Sequence, residues 1–437
     1  MSLRPSCGLL FLLAAPGLAG QSPPAPPVTL SLDQALARGL LANPLLGRQR
    51  AEVTAAQALK KGTLSQILPR LTATGGLIRN SKEVSFGSGE DARTVLPEND
   101  WNTRLILQQP VFAGLREQRA YQQSKEAVRS AEQGLRAAED RLLLGVARDY
   151  LQVVQGDLLV GVERQSEELA RRRLAQARDL LEAGEVTRVD VLRAEADVAA
   201  AERAVALAER DRGVAAGQLR VDLALEGELL VEEPTLDVPE PPGEAELLER
   251  AERARGDLQQ AVIGVHVAQL EVSKQKGFWL PVITADAGWI WQRTSFPADR
   301  YGFAALRFNV PLWQSGEVQS RVALARERQR QAELALEDAR LRVREDVRRA
   351  LLDATTARRY LKLAQEQLAA SQAEYDQVFE LYRSQEVTSL DAQSSETSLN
   401  EARRAVVNGR LASALAELEV WFAAGDLKSV LVKEARQ

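Results

Sequence analysis

Two hydrophobic periods alternate along the chain, and each occurs twice. Behind Leu68-Pro69, and again behind Leu280-Pro281, apolar residues fall on every second position. In the later segment Ile283, Ala285, Ala287, Trp289 and Trp291 share one face, while Thr284, Asp286, Gly288 and Gln292 share the other. A returning segment sets Ala304, Leu306, Phe308 and Val310 against Tyr301, Ala305, Arg307 and Asn309. The earlier pair shows Leu71, Ala73 and Leu77, then Trp101, Leu105, Leu107 and Val111. A period of two predicts strands, here two hairpins over about 70–110 and 282–310. At about ten residues, each strand is long enough to cross a bilayer at the tilt of a barrel. Trp101, Trp289, Trp291, Tyr301 and Phe303 gather toward the loop-proximal strand ends, as an interfacial girdle would.

The second period is helical. No proline occurs from Val111 to Glu233 or from Leu312 onward, and both stretches are dense in Ala, Leu, Glu, Arg and Gln. Val128, Leu135 and Leu142, then Val146, Val153 and Val160, form heptad-spaced rows with Ala131 and Ala138 between them, which reads as a coiled-coil seam. A helix from about Gly114 to Glu182 would be on the order of 100 Å long. The pattern breaks at Ala183-Gly184-Glu185-Val186-Thr187 and resumes near Arg188 with Val191, Val198 and Val205, so the rod folds back as a hairpin. Shorter helices lead each unit, the first opening on Ser31-Leu32-Asp33-Gln34, a capping-box pattern.

These elements are one unit written twice. Leu68-Pro69-Arg70-Leu71-Thr72 returns as Leu280-Pro281-Val282-Ile283-Thr284, 212 residues on, and Asn43-Pro44 meets Arg255-Gly256 at the same separation. Past the hairpins the separation becomes 201, where Pro110 meets Pro311 and Glu185–Asp190 meets Glu386–Asp391. The expected organisation is a signal peptide (1–20), a loosely held proline-rich leader (21–31), a first repeat (32–231) and a proline-stiffened linker (232–243). A second repeat (244–425) and a C-terminal tail (426–437) complete it.

Composition narrows the class. With 27% charged residues the chain is not a helical membrane protein, so any spanning must come from strands. The one long apolar run, Leu9 to Ala15 behind Arg4, marks residues 1–20 as a signal peptide cleaved near residue 20, and the only cysteine, Cys7, lies inside that segment. The net charge of -5 with interleaved signs speaks against nucleic acid as a partner. The single histidine, His266, sits in an apolar run and reads as a packed or solvent-tipped helix residue. No motif places a nucleophile, base and orienting group together, and no metal or cofactor is expected.

Four strands cannot close a barrel, and open edges are not tolerated in lipid, so the chain must oligomerise. Two copies supply eight strands with a filled interior; three supply twelve and leave a lumen. The expected fold class is therefore mainly α with transmembrane β. It is internally duplicated, with a long coiled-coil α-helical barrel and four strands per protomer contributing to a 12-stranded trimeric β-barrel. Leu105, Leu107, Ile283, Trp289, Trp291, Leu306 and Phe308 are its expected lipid-facing residues.

The repeated Leu-Pro, "QPVFAG" and "VPLWQSG" behind the second strands, and "AGEVTRVDVL" at a hairpin turn resemble the outer-membrane efflux protein family typified by TolC, over residues 28 to 425. That resemblance implies a homotrimer in the outer membrane with its helical tunnel in the periplasm. It implies hairpin tips docked to a periplasmic adaptor, which links them to an inner-membrane transporter of RND, ABC or MFS type, in efflux or type I secretion. The matching tip positions are Gly184, Thr187 and Asp190, then Thr388, Leu390 and Asp391. Tyr382 and Asp391 look similar to residues that constrict the family's closed tunnel, and an aspartate ring would attract cations. A solvated surface acid is the other reading of Asp391. Val387 stands where a gating arginine is expected, and Gln385 replaces the second tip glycine. The rival function is a soluble periplasmic coiled-coil scaffold or adaptor.

Overall fold

The computed structural model describes residues 28–431 apart from 88, 90–92, 235–237, 295–297 and 385. The expected signal peptide, the Gln21–Pro27 stretch, Thr235, Leu236 and Asp237 of the linker, Gln385 and the end of the tail lie outside the described residues.

Strand β1 (Val28–Leu30) leads into helices α1 (Leu32–Ala42) and α2 (Pro44–Ser65). A hairpin of β2 (Arg70–Arg79) and β5 (Asn99–Ala113) follows, its loop carrying a small pair, β3 (Val84–Phe86) and β4 (Arg93–Leu96). Helices α3 (Arg116–Glu182) and α4 (Arg188–Asp222) form the first rod, closed by β6 (Leu229–Val231). The second unit repeats the order with α5 (Glu244–Ala254), α6 (Gly256–Lys276), β7 (Val282–Gln292), β8 (Arg300–Asn309), α7 (Glu317–Arg383) and α8 (Ser389–Ala423). A short α9 (Leu427–Leu431) ends the described chain.

The duplication holds to the residue. Helices α3 and α7 are each 67 residues, and α4 and α8 each 35, all at a separation of 201. At a rise of 1.5 Å per residue the long helices run about 100 Å. Asn43 and Arg255 share one extended backbone conformation, φ -66 and ψ 123 against φ -63 and ψ 116, which separates the short helix from the next in each unit. Two consecutive left-handed residues turn each second strand into its long helix: Gly114 and Leu115, then Ser315 and Gly316. Glycine is required at 114, where an added Cβ would stand 2.1 Å from the carbonyl oxygen of Gly277.

The four long strands make one antiparallel sheet in the order β2-β5-β7-β8, so the second strand of the first hairpin pairs with the first strand of the second. Directly opposite residues share a face. The registers Leu71↔Leu107, Ala73↔Leu105 and Leu77↔Trp101, then Leu105↔Trp289, Ile283↔Phe308 and Ala285↔Leu306, put the expected apolar residues of both hairpins on one face. Val111 is a correction. The register slips between Pro110 and Phe112, so Phe112, not Val111, sits opposite Ile283. Proline has no N–H to donate to the ladder, and a bulge beside it absorbs the irregularity. Tyr301 and Phe303 pair with Ile290 and Gly288 and so lie on the opposite face from Trp101, Trp289 and Trp291, the three of these five aromatic residues that share the apolar face.

The main core clamps the middle of α3 rather than the sheet. Leu36, Leu46, Leu143, Val146, Leu219, Leu223, Leu418 and Leu427 converge there around Tyr150. The Tyr150 hydroxyl lies 3.0 Å from the Leu30 carbonyl oxygen and 2.7 Å from that of Glu232, and accepts from Glu232 N–H at 3.1 Å. Desolvation pushes this phenol up to about 12. Two expectations change here. Residues 28–30 of the leader are a strand, paired in parallel with β6, and the start of the tail is a helix with Leu427 fully buried. A smaller core of Leu247, Ala251, Leu258, Val343, Val347 and Val420 seats the second unit. The heptad rows behave as a seam, since Val128, Ala138, Leu142, Val146, Val153 and Val160 are all buried. His266 is solvent-tipped, its Nδ1 3.6 Å from Glu126 Oε1.

Candidate functional site

Two regions carry the expected functional residues. The sheet has one apolar face, and that face is unusually bare. Leu105, Leu107, Trp289, Trp291, Leu306 and Phe308 are all exposed, while Ile283 is half-buried. A contiguous exposed apolar surface of this kind marks a lipid or protein interface rather than a water-facing one. The other face carries Thr72, Thr74, Asn102, Arg104, Gln108, Thr284, Asp286 and Arg307, with Ile106, Ile290 and Phe303 among them. Asp286 is buried, and Arg307 Nε lies 3.3 Å from its Oδ2. No helix among the described residues is long and apolar enough to cross a membrane. No group of metal-ligating side chains occurs among them either.

The hairpin tips lie at the far end of the rods. Helix α3 ends in a Schellman motif, with Gly184 N–H donating to Leu181 O at 3.0 Å and Glu185 N–H to Leu180 O at 2.9 Å. Gly184 adopts φ 76, and a Cβ added there would meet nothing within 4 Å, so the tip is open to solvent. In the second tip Glu386 N–H donates to Leu381 O at 2.9 Å, the same closure.

Thr187 and Thr388 are the N-caps of α4 and α8, and Asp190 and Asp391 complete their capping boxes. Asp190 Oδ2 accepts from Thr187 N–H at 3.0 Å and Oγ1 at 2.7 Å; Asp391 Oδ2 accepts from Thr388 N–H at 3.0 Å and Oγ1 at 2.6 Å. These bonds, the threonine hydroxyl's first, hold both carboxyls below the usual range. The structure therefore gives both aspartates a local structural task that neither sequence reading of Asp391 anticipated. Beside them Leu390 and its counterpart Val189 are more than half exposed, as is Leu192. Val189 and Leu192 are apolar tip residues that reasoning from the family motif passed over, although their mixture with charged neighbours in Arg188-Val189-Asp190-Val191-Leu192 signals them.

Tyr382 is placed differently from Asp391. It is 5% exposed, enclosed by its own chain. Burial pushes its phenol up, with Arg173 opposing and Asp190 adding to the shift. Arg173 is the centre of a buried cluster: it donates to Glu396 Oε2 of α8 at 2.9 Å and to Asp197 Oδ2 of α4 at 2.8 Å, and Gln393 donates to Asp197 Oδ1 at 2.9 Å. Burial pushes the Glu396 carboxyl up, against the lowering effect of Arg173.

This cluster ends a ladder along the α3–α8 contact. Arg148 reaches Glu419, Gln155 reaches Asn408, Arg404 reaches Glu163, and Asn400 reaches Ser166. The α3 partners 148 and 155, and again 166 and 173, stand seven residues apart, two turns of helix, with Glu163 between the pairs. Only the antiparallel pairing with α8 reveals the partners.

A family profile described as Outer membrane efflux protein matches residues 33–223 and 247–426, one span in each repeat. No curated protein sequence matches the chain at a significant level. Among solved structures, CusC, described in terms of folding and transmembrane channel formation, superposes with a TM-score of 0.80 at 18% identity, covering 90% of this chain and 92% of its own. The Campylobacter jejuni outer membrane channel CmeC superposes at 0.77 with 16% identity, over 90% of this chain and 85% of its own. The Neisseria gonorrhoeae MtrE outer membrane channel in its open state does so at 0.76 with 18% identity, over 91% and 89%. At these identities the likeness establishes the fold.

Proposed function

The chain belongs to the outer membrane efflux protein family, and from that premise we propose that it is one protomer of a homotrimeric channel-tunnel. Three copies would place twelve strands in the outer membrane and twelve long helices in the periplasm. The conduit is passive: substrates driven by an inner-membrane transporter of RND, ABC or MFS type pass through a polar lumen without covalent chemistry or a cofactor. The observation that carries this reading is a sheet apolar on one face, open at both edges and mounted on helical hairpins about 100 Å long. A soluble scaffold would have to leave that face in water.

On this reading Leu105, Leu107, Ile283, Trp289, Trp291, Leu306 and Phe308 face lipid, with Trp101, Trp289 and Trp291 toward the outer interface. The tips present Gly184, Thr187 and Asp190 with Thr388 and Leu390 to a periplasmic adaptor, Leu390 supplying apolar contact beside Val189. Tyr382 and Asp391 serve the periplasmic end as parts of the gate region. The signal sequence expected at residues 1–20 would direct export. The test is fractionation: oligomers resistant to heating in detergent, recovered with the outer membrane and not released by salt, are expected. A protein washed off as a monomer would refute the channel.

A further inference from the structure

We infer that Arg104, with Arg70 and Arg307, makes the bore of the barrel an anion-selective segment, so that the cargo it favours carries carboxylate or phosphate groups. The inference rests on the channel reading above and names the class of substrate that the barrel admits.

The registers run three rungs across the whole sheet on its polar face. Arg70, Gln108, Asp286 and Ala305 form the first, Thr72, Ile106, Gly288 and Phe303 the second, and Thr74, Arg104, Ile290 and Tyr301 the third. Thr284 and Arg307 pair just before the first. Directly opposite residues share a face, and with the apolar face in lipid these rungs line the lumen.

Over residues 70–76, 102–108, 284–290 and 301–307 the only charged residues are three arginines and one acid, Asp286. All four lie on the polar face. The acid is withdrawn and the bases are not. The Asp286 side chain is 1% exposed, whereas that of Arg307, whose Nε lies 3.3 Å from Asp286 Oδ2, is 67% exposed. Arg70 and Arg104 are exposed, and neither side chain has a hydrogen bond or ion pair among the described residues. The rung of Arg104 and the second rung beside it hold no acid, and outward from it come Gly76, Asn102 and Gln292. Asp100, the acid on the same strand face, stands four residues outward, about 13 Å at the rise of a strand. That exceeds the Debye length of about 8 Å at physiological salt, so Asp100 does not neutralise Arg104. Asp299, whose carbonyl oxygen accepts from Gln292 N–H at 2.8 Å, stands at the same end. The bore thus has an acidic mouth and a basic interior.

Three copies repeat Arg104 around the axis at one height. A ring of guanidinium groups inside low-dielectric walls concentrates anions and repels cations. The fork of N–H donors on each free guanidinium also matches a carboxylate or a phosphate through two parallel bonds.

Reversal potentials of the full-length protein in planar bilayers, under a tenfold KCl gradient, test this. Arg104→Gln should lower the chloride-to-potassium permeability ratio about twofold or more near 0.1 M salt, and much less near 1 M, where screening shortens to about 3 Å. Asp286→Asn should raise the ratio by freeing the Arg307 charge. Arg300→Gln, on the apolar face opposite Trp291, should leave it unchanged. Citrate added at the outer mouth should reduce the parent's current and have several-fold less effect on Arg104→Gln. Arg104→Lys should keep the permeability ratio and lose part of the citrate effect. Asp391 at the other end of the conduit is common to parent and variants, so only differences between them are read. An unchanged ratio in Arg104→Gln, or an equal shift in Arg300→Gln, would overturn the inference while leaving the channel standing. A parent that forms no channels would overturn the channel reading itself.

Discussion

Arg173 offers a quantitative test of what holds the tip ends of the two hairpins together. Its guanidinium has a side-chain exposure of 8%, against 9% for Glu396 and 22% for Asp197, so replacing it by methionine leaves two carboxylates facing each other out of water. Removing one partner of a buried ion pair costs about 3–5 kcal/mol, because the abandoned charge keeps its desolvation penalty. The control lies on the same helix. Arg164 pairs with Glu209 at 2.7 Å, shorter than either Arg173 contact, but at exposures of 65% and 49%. Such a surface pair is worth about 0–1 kcal/mol. Distance alone would rank Arg164 above Arg173; burial reverses the order. Native-state hydrogen exchange of the Ala392–Asn400 amides reads the local opening free energy. Arg173→Met should speed exchange there by about 100-fold or more, since each 1.4 kcal/mol is tenfold, whereas Arg164→Met should change it by less than about fivefold. Adding Glu396→Leu and Asp197→Leu to Arg173→Met should restore most of the protection, because the penalty belongs to unpaired charge and not to lost attraction. Equal effects of the two single variants, or no recovery in the triple variant, would refute the reasoning.

Other outcomes follow from the same geometry. Gly184→Leu should cost about 1–2 kcal/mol of local stability from its left-handed backbone and weaken adaptor capture in a pull-down while trimers persist; loss of trimers would contradict the tip assignment. Thr388→Val removes the hydroxyl half of the capping box and keeps the Asp391 charge, whereas Asp391→Ala removes the charge and the carboxylate half but leaves the backbone N–H of residue 391 donating to the Thr388 hydroxyl, so single-channel currents separate the two tasks. A changed cation preference in Asp391→Ala alone supports the gate region, and equal changes in both variants identify the cap. Asp149 is held at about 7 by burial first, then by hydrogen bonding to and the charge of Asp222, with Arg148 opposing. The folded chain keeps a proton that the unfolded one releases near 3.8, so this contribution is full below that value and is lost as pH rises through about 7. Asp149→Asn should therefore lose less Tm than the parent between pH 5 and pH 8; identical pH slopes would exclude the protonated pair.

Much of this architecture was legible because its signals are local. Alternation at Ile283–Trp291, heptads at Val128–Val160 and the glycine at 184 each state a backbone choice within a few residues, and writing them twice removes ambiguity. The capping pattern at Ser31 was equally readable, and the structure contains both of its reciprocal bonds. The same rule applied at Thr187 and Thr388 would have found the caps, had their aspartates not first been assigned to other work.

What stayed hidden depends on residues far apart in the chain. Tyr150 acquires its partners because Leu30 and Glu232 arrive beside it, and no periodicity at position 150 announces a hydroxyl between two carbonyls. The slip at Val111 arises from pairing Pro110 with a strand more than 170 residues away, and it moves Phe112 into the place that alternation assigned to Val111. Arg173 reads in sequence as one more charge on a helix face, and only the antiparallel approach of α8 makes it a buried bridge. Local pattern alone specified the long strands and rods, the repeat and the apolar face, since these follow from the backbone's two periods, but not the short strands β1, β3, β4 and β6 or helix α9. The tertiary structure alone decided which charges lose their water, which strand edges stay open and where the rods are clamped, because desolvation and pairing exist only between segments that folding brings together.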